Sequence, residues 1–427
     1  MKTKRSRRSR VVALAASALV ALPLAACSSN GAGDGPTTIT FSYLWGGAEA
    51  KSLEKIIADF NASQKDIVVK GVSSPDAQKQ LTSMSSSSGS FDISDNFGDS
   101  VGAWASKGII APLDDYLKAD KVDTGDFVPS AMDQMRFKGK TYALPIAVHS
   151  LQLVYNKKLL AEAGIQPPKT MDELAAAAAA LTKTDANGAI TQLGLGSSNY
   201  SSTLEAIGIA FGGKWTDDKG PTPTDAGNIA GLTWYQDNIV KKVGADKLAA
   251  FKGGEGQYLS AQDPLYSGKM AMRFDGEWTA VSAATAAPDL DWGVTAIPAG
   301  DPKYENSTMV SSSTLFIPSN SKHKEQAATF LAYLVSEKPM TDFSLALGNL
   351  PARTSLLDSD AYSSLKNFSV WAEALKSPNA VSLASAPYSA EYATDLAAAF
   401  DDVVRDAATP KQALEGVEKR VSSYATR

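Results

Sequence analysis

The single cysteine of this sequence is its most reactive side chain. Cys27 follows Leu24, Ala25 and Ala26 at the end of an apolar run over residues 11–26, and a segment with six Lys and Arg residues precedes that run. The run is shorter than the roughly 20 residues that span a bilayer, so it has the form of a signal peptide with small residues at its cleavage site. A thiol after such a site indicates covalent lipid attachment. The alternative is a chance cysteine beside an ordinary cleavage site.

This pattern predicts where the protein is located and what holds it there. We expect a lipoprotein signal peptide over residues 1–27 and a flexible tether, rich in Ser and Gly, over residues 28–36. The folded part would follow the tether on the extracytoplasmic face of the cell membrane. The lipid on Cys27 would then be the membrane anchor.

The residue types that are scarce exclude several classes of catalysis. Besides Cys27, the sequence has only two histidines, His149 and His323. Neither a zinc site of the Cys/His type nor a Cys–His nucleophile pair can therefore be assembled. Residues 185–188, Asp-Ala-Asn-Gly, are similar to the start of a calcium loop, but the downstream carboxylate is missing and a tight turn is the alternative. We expect neither a metal nor a cofactor.

The net charge argues against a nucleic-acid partner. Removal of the leader changes the formal net charge from -5 to about -11, because the leader carries six basic residues and no acidic one. Binding to phosphate backbones needs clustered Lys and Arg, and the remaining sequence has no such cluster. Roughly 400 mature residues, with ample apolar content, are enough for two or more domains.

Strands and helices alternate along the first part of the mature chain. Residues 39–43 alternate apolar and polar side chains as a strand does, and apolar residues over 53–60 follow helical spacing. The same alternation continues with a strand at 67–72, a helix at 76–85, a strand at 91–94 and a helix at 101–107. This order predicts a mostly parallel sheet with helices on both faces.

Later segments continue this pattern. Further strands are predicted over residues 142–144, 151–155, 269–274 and 314–317, and helices from Asn156 and over residues 324–335. Thr170 and Glu173 form a capping box, in which each side chain satisfies a free amide at the start of a helix. Residues 409–412 begin the last helix in the same way.

A series of short motifs occurs in one order through nearly the whole mature chain. They cover residues 91–93, 108–113, 139–145, 153–157, 167–170, 267–272, 275–278 and 350–353. Together with the lipid-attachment pattern, this series closely resembles the bacterial extracellular solute-binding proteins of the sugar-binding type, which serve ABC importers.

The resemblance implies a fold and a domain organisation. It implies an α/β, two-lobed periplasmic-binding-protein-like fold of type II, with mixed, mostly parallel sheets flanked by helices and a hinge between the lobes. Each lobe is expected to be discontinuous. Lobe 1 would comprise residues 37–147 and 300–350, and lobe 2 residues 148–299 and 351–427. Chain crossings are expected near residues 146–150, 298–311 and 350–354.

A sugar site needs aromatic platforms for C–H faces and polar groups for hydroxyls. The family's G-x-W segment makes Trp278 the first candidate, and Trp45 ends the first strand, where open α/β sheets bind ligands. Asp99 and His149 stand where maltose-binding relatives carry an aspartate and a glutamate. The change to His149 places maltose itself in doubt. The weaker candidates are Asn96, Tyr200, Arg353 and Tyr392, followed by Trp215, Trp371 and Tyr388.

Each candidate has a structural alternative. Trp278 and Trp45 could pack in the core, and Asp99 could serve as a helix N-cap, a position that favours negative charge. His149 could be a hinge residue without a ligand role, and Arg353 could join the lobes. Trp104, Trp234 and Trp292 are predicted core residues.

The predicted function is that of a monomeric, lipid-anchored receptor. It would bind a carbohydrate and deliver it to the permease subunits of an ABC transporter, without enzymatic activity. One alternative is a lipoprotein that senses a ligand and signals through a partner. Another is a secreted glycoside hydrolase, which needs two carboxylates such as Asp99 and Glu277. The ligand could be a saccharide, a polyol or a glycerophosphodiester, and a phosphate would need basic groups such as Arg273 and Arg353.

The lipid-anchor prediction is tested by Cys27→Ser. Only the thiol accepts the lipid, and each buried methylene contributes about 0.8 kcal/mol to anchoring. We expect the variant to lose acylation and to appear in the medium or to remain an uncleaved precursor, as measured by lipid labelling and membrane fractionation. Ser28→Ala is the control and should behave like the parent. Unchanged membrane retention of the Cys27→Ser variant with intact processing would contradict the prediction.

Overall fold

The computed structural model describes residues 35–197, 200–217, 219–383 and 385–425. Cys27, the predicted signal peptide and most of the predicted tether lie outside these residues, so their assignments stay predictions. Across the described ranges, none of the helices combines the length and the apolar character needed to cross a bilayer.

The first half of the chain runs from an α/β segment into one long strand. In order it contains β1 (Thr37–Tyr43), α1 (Gly47–Ser63), β2 (Ile67–Ser73), α2 (Ala77–Ser85), β3 (Ile93–Phe97), α3 (Val101–Ser106), α4 (Asp114–Ala119), α5 (Pro129–Gln134), β4 (Arg136–Phe137), β5 (Lys140–Thr141) and β6 (Ala143–Asn156). The predicted alternation over residues 39–107 is confirmed.

The middle of the chain is mostly helical. It contains α6 (Lys157–Glu162), α7 (Met171–Leu181), β7 (Lys183–Thr184), β8 (Ile190–Gly196), α8 (Tyr200–Ala210), β9 (Thr216–Asp217), β10 (Gly220–Pro221), α9 (Ala226–Tyr235), α10 (Lys241–Val243) and α11 (Ala245–Gly253). A π-helical segment, Gln236–Val240, joins α9 to α10.

The last part returns to the sheet and ends in helices. It contains β11 (Met270–Gly276), α12 (Thr279–Ala286), β12 (Trp292–Thr295), β13 (Thr308–Phe316), α13 (Lys324–Leu334), α14 (Glu337–Leu347), β14 (Leu350–Pro351), α15 (Phe368–Leu375), β15 (Ala380–Ser382), α16 (Ser389–Val404) and α17 (Pro410–Tyr424).

Besides two small two-stranded sheets, β4–β5 and β9–β10, the described part of the chain contains an 11-stranded mixed sheet around β6 and β13. Its order is β2-β1-β3-β13-β6-β11-β8-β7, with β12 and β14 also paired to β6 and β15 paired to β13. The pairs β1–β2, β1–β3 and β8–β11 are parallel, because helices carry the chain back between them. The expected mostly parallel arrangement does not extend to the centre, where β6 runs antiparallel to β11, β12, β13 and β14.

β6 corrects the prediction of two separate strands at residues 142–144 and 151–155. It is a single strand of 14 residues that pairs with β13 through residues 143–150 and with β11 through residues 151–155. Pro145 falls where the pairing with β13 shifts register between Ser313 and Thr314, and such a shift tolerates a residue without an N–H. The polar residues that interrupt the apolar pattern find buried partners, so the strand continues through them.

β6 passes between two hydrophobic cores. The first core includes Phe41, Leu53, Phe330 and Trp371, and the second includes Leu195, Ile207, Phe274, Phe400 and Val417. Val148 belongs to the first core and Leu151 and Leu153 to the second, while Val154 contacts the first core again. Two cores joined by continuous strands are expected for two lobes. The lobe boundaries given above stay a prediction.

Local side-chain contacts explain the starts of α7 and α17 and the turn at residues 185–188. Thr409 Oγ1 accepts from the Gln412 N–H and the Gln412 side chain returns the bond, as predicted. At α7, Thr170 caps the Glu173 N–H, but the Glu173 carboxylate accepts from the Lys169 N–H. Residues 185–188 form the tight turn, in which Asp185 Oδ1 accepts from two backbone N–H groups.

Candidate functional site

A cavity of about 290 Å³ lies where β3, β13, α8 and α16 meet. Phe97 and Asp99 approach it from the end of β3, and Ser311 from β13. Glu205 on α8 and Tyr392 on α16 form the opposite wall. The cavity therefore places two carboxyl groups and aromatic rings around one space.

Glu205 is the most unusual group at this cavity. It is only 4% exposed. Burial, and then the negative charge of Asp99, raise the pKa of the Glu205 carboxyl to about 8. Such a carboxyl is largely protonated at neutral pH and can both donate and accept hydrogen bonds.

Asp99 lies in the one-turn 3-10 helix Gly98–Ser100 that follows β3. Its side chain is open to solvent at the cavity, yet surrounding protein atoms desolvate the carboxyl and raise its pKa. Hydrogen bonds from the backbone N–H groups of Ser100 and Asp99 itself act in the opposite direction. Asp99 therefore lies in the cavity wall but is not an N-cap, since Phe97 occupies that position before the 3-10 helix and Ser100 occupies it before α3.

The aromatic lining combines an exposed ring with buried ones. Phe97 is 56% exposed, which is unusual for so large an apolar side chain. Tyr392 is buried, and its hydroxyl donates to the Trp215 carbonyl at 2.8 Å. Tyr388 is half-buried beside Tyr424, with 5.9 Å between the ring centroids. Flat rings of this kind suit the C–H faces of a sugar.

His149 is held in a buried network on the strand pair that borders the cavity. Its Nδ1 lies 2.7 Å from Glu277 Oε1, and its Nε2 lies 3.0 Å from Ser313 Oγ. The second oxygen of Glu277 accepts from the Ser150 N–H at 3.2 Å. Ser311, directly opposite His149 in the pairing, lines the cavity. The network therefore links the crossing of the two cores to the candidate site.

Trp278 packs against His149. The two rings meet edge to face with centroids 5.6 Å apart. The indole Nε1 donates to the Tyr258 hydroxyl at 2.7 Å, and that hydroxyl donates to Asp275 Oδ1 at 2.6 Å. A Cβ at Gly276 would lie 2.2 Å from the indole ring, so packing requires glycine at this position of the G-x-W segment.

A buried arginine holds the side chains that contact this tryptophan. Arg273 Nε donates to Asp275 at 2.6 Å, and its NH1 donates to both oxygens of Asp263 at 2.7 and 2.8 Å. The guanidinium also lies against the rings of Tyr258 and Tyr266. Arg273 thus orients Tyr258 and Asp275 through its Nε and NH1 and is paired with two carboxylates, so it is not a free cation for a phosphate group.

Three predicted residues have partners away from the cavity. The Trp45 ring packs edge to face on Phe343 at 4.9 Å. The Asn96 amide donates to Gln80 Oε1 at 2.8 Å. None of Trp45, Asn96 and Arg353 is among the described residues that line the cavity. Tyr200 begins α8, but its side chain lies outside what the structure describes.

Arg353 joins segments of the first core. Its Nε donates to the Val335 carbonyl at 2.7 Å, and its NH1 pairs with Asp126 at 3.1 Å. The guanidinium lies over the Phe127 ring. These contacts agree with the alternative in which the arginine has a packing role.

A wider groove of about 800 Å³ lies beside Asp126 and Lys376. Its charged groups already have partners, since Asp126 pairs with Arg353 and Lys376 pairs with Asp358 and Glu373. The smaller cavity, with its free carboxyl groups, is therefore the better candidate site.

The structure brings together some predicted residues and adds others. Asp99 and Tyr392 share the cavity, and His149 contacts Trp278. Phe97, Glu205 and Tyr258 were missed. Phe97 could have been found from its place at a strand end, and Glu205 as the one charged residue of its helix. No sequence pattern relates Tyr258 to Trp278, because the contact joins a loop to a distant strand end.

The Gly276 contact yields a prediction about Trp278. In Gly276→Ala the new methyl group would displace the indole ring from His149, at a cost of about 1–3 kcal/mol in unfolding free energy. Chemical denaturation and tryptophan fluorescence measure the two effects. Gly253→Ala is the matched control, because a Cβ there meets nothing within 4 Å. Equal stability and equal spectra for the two variants would contradict the packing requirement.

Known proteins resemble this chain in sequence and fold. Residues 45–341 match the family described as "Bacterial extracellular solute-binding protein". The galactooligosaccharide-binding protein of Bacillus subtilis is 26% identical over 93% of each chain. The mannitol-binding protein of Pseudomonas aeruginosa is 25% identical over 88% of this chain and 87% of its own. The maltotriose-binding protein of Pyrococcus abyssi is 25% identical, and the match spans 61% of this chain but only about half (54%) of that relative.

Solved structures agree with these matches. The protein CpMnBP1, solved with mannobiose bound, has a TM-score of 0.77 and 27% identity, and the match covers 90% of this chain and 99% of that one. The GacH receptor of Streptomyces glaucescens, at 23% identity and a TM-score of 0.74 over 91% and 98% of the chains, shares the fold. The predicted two-lobed α/β fold is thus confirmed. The chain belongs to the bacterial extracellular solute-binding protein family.

Proposed function

We propose that this protein is an extracytoplasmic receptor that binds a carbohydrate in the cavity between β3 and α16. The observation that carries the proposal is the cavity itself, in which Asp99 and Glu205 face the rings of Phe97, Tyr388 and Tyr392. Carboxyl groups bind sugar hydroxyls, and aromatic rings cover C–H faces. At about 290 Å³ the cavity is near the small end of ligand pockets, which suits a small saccharide or one part of a longer one.

The walls of the cavity come from segments of both cores. Phe97 and Asp99 follow β3, whose Ile93 packs in the first core. Tyr392 and Leu204, the residue before Glu205, pack in the second core. A ligand between these walls gains its full set of contacts only when both sides engage. It would therefore bind a closed state better and shift the population toward it.

Charge argues for an uncharged or hydroxyl-rich solute over a phosphate ester. None of the described residues that line the cavity is Lys or Arg. Arg273 and Arg353, the basic residues that a phosphate was expected to need, are committed to Asp263, Asp275 and Asp126. The names of relatives, which mention mannobiose, mannitol and maltotriose, support a sugar or polyol.

The hydrolase alternative has less support. Glu277, predicted as one of the two carboxylates, is fully buried and bound to His149 and Ser150, and it is not among the described cavity-lining residues. The relatives above are named as binding proteins. We infer that the solute is released unchanged.

Delivery and anchoring complete the proposal. Within this family the solute would pass to the permease subunits of an ABC transporter, with the protein acting as a monomer. The lipid on Cys27 would keep it at the membrane. A relative from Streptomyces antibioticus, 24% identical over 81% of this chain and 77% of its own length, is named as a lipoprotein.

The role of Trp278 is tested by Trp278→Ala. Trp278 is not among the described residues that line the cavity, and we expect the bound sugar to extend beyond the cavity to this ring. Loss of the ring should then weaken sugar binding by about 1.4 kcal/mol or more, roughly tenfold, while the protein remains folded. Isothermal calorimetry with mannobiose and maltotriose, together with a denaturation curve, separates the two effects. Trp234→Ala, at a half-buried tryptophan on α9, is the matched control and should lose stability without losing affinity. Parental affinity in Trp278→Ala would assign the ring to packing alone.

The ligand class is tested by thermal shift. At about 100 times its dissociation constant a ligand stabilises the folded state by about 2.7 kcal/mol, so one class of compound should stand out among mannobiose, maltotriose, mannitol and a glycerophosphodiester. The stabilising compound should also reduce the radius of gyration in X-ray solution scattering. It should be recovered intact after long incubation. A cleaved product would favour the hydrolase, and stabilisation by charged compounds alone would overturn the sugar assignment.

A further inference from the structure

Glu205 has an exceptional environment for an acidic side chain. The residue is only 4% exposed, and its carboxyl group borders the cavity. Among the residues whose contacts the structure describes, none forms a hydrogen bond or an ion pair with that carboxyl. Buried carboxylates are ordinarily paired, because desolvation without compensation costs several kcal/mol. Within the described residues, the carboxyl group of Glu205 thus has hydrogen-bonding capacity that is available to an occupant of the cavity.

The surrounding helices hold this side chain at the cavity wall. Leu204 and Ile207 on the same helix are fully buried in the second core. The backbone carbonyl of Glu205 accepts from Trp215 Nε1 at 3.0 Å, and the Trp215 carbonyl accepts from the Tyr392 hydroxyl. The backbone of α8 is therefore fixed from two sides beside the cavity wall.

The titratable groups around α8 provide no positive charge. Helix α8 packs against α9, α16 and β13. β13 has no titratable side chain, and α9 contributes Tyr235. From α16 and its N-cap, Tyr392 and Tyr388 face the cavity with Glu205, while Asp99 faces it from the end of β3. A second negative charge without a cation favours the neutral acid, and the raised pKa of about 8 agrees with this.

Other charged residues of α16 are directed elsewhere. Asp395 pairs with Arg420, and Asp401 pairs with Arg405. Glu391 and Asp402 are exposed and are not among the described cavity-lining residues. The electrostatic environment of Glu205 is therefore set by burial and by Asp99.

We propose that Glu205 is a ligand-binding residue that acts in its protonated form, donating its O–H to a solute oxygen and accepting a hydrogen bond from a solute hydroxyl. A neutral carboxyl group offers one donor and an acceptor, which matches a hydroxyl-rich solute, whereas a carboxylate only accepts. This inference rests on the proposed carbohydrate-binding function and assigns it a specificity-determining residue.

Calorimetry with mannobiose and with mannitol at pH 6.5 and pH 9 tests the ligand role. With a pKa of about 8, roughly a tenth of the protein carries the proton at pH 9, so parental affinity should fall about tenfold. Glu205→Gln, which keeps a donor and an acceptor, should retain affinity within about threefold and lose the pH dependence. Glu205→Ala should lose most of the affinity at both pH values. Glu391→Gln is the matched control and should resemble the parent.

Thermal unfolding without ligand tests the protonated state by itself. The pKa of a Glu in the unfolded chain is about 4.3, and the folded value is raised above it, so the parent loses stability as pH rises from about 4 to about 8. Glu205→Gln lacks this loss. Its melting temperature should therefore rise relative to the parent between pH 5 and pH 8.

The outcomes separate this inference from the proposed function. If neither sugar binds the parent, the proposed function and the ligand role of Glu205 both fail, whatever the melting temperatures show. If the sugars bind but Glu205→Gln is as weak as Glu205→Ala, or the parental affinity does not change with pH, the protonated role is overturned and the receptor function stands. A melting-temperature difference that is constant from pH 5 to pH 8 would also overturn it.

Discussion

The pairing of β6 with β13 is the constraint on which the rest of the structure depends. β6 must carry buried backbone from one core to the other, and every N–H and C=O along it needs a partner. β13 provides these partners over residues 143–150, and β11 and β12 provide them beyond. The Thr308 hydroxyl bonds both Ser150 Oγ and the Leu151 N–H at the point of change. The candidate cavity lies beside this crossing because Ser311 belongs to it.

The buried charged groups beside the strand crossing have charged or polar partners, and this makes Glu205 informative. Arg273 has two carboxylates, and His149 has Glu277 and Ser313. The networks around Arg273 and His149 hold Trp278 and the strand crossing in place. Glu205 is the contrasting case. It is buried to a similar depth, but no described residue pairs with its carboxyl group, which borders a cavity. A buried carboxyl group without a partner destabilises the folded state, because its desolvation is not compensated. A ligand that completes its hydrogen bonds offsets this loss.

Several sequence-based predictions were confirmed because they depend on short-range physics. Alternating and helical periodicities located β1, α1, β2 and the capping box at Thr409. Asp99, predicted from the resemblance to maltose-binding relatives, lines the cavity, and its ligand role stays a prediction. Trp45 and Asn96 also lie near strand ends. The Trp45 ring packs on Phe343, however, and the Asn96 amide donates to Gln80. Which of several strand-end residues faces a ligand depends on neighbours from distant segments, which one sequence does not show.

The sequence by itself determined the family, the alternation of elements and the acidic net charge, because these follow from composition and local patterns, and it predicted a lipid site at Cys27. Only the tertiary structure decided that β6 is one strand, that Arg353 pairs with Asp126, and that Glu205 faces Asp99 across a cavity. The physical reason is that burial and hydrogen-bond pairing are properties of the whole packed chain. The pKa of Glu205 rises because α8, α16 and the end of β3 meet around it, and no local segment contains that information.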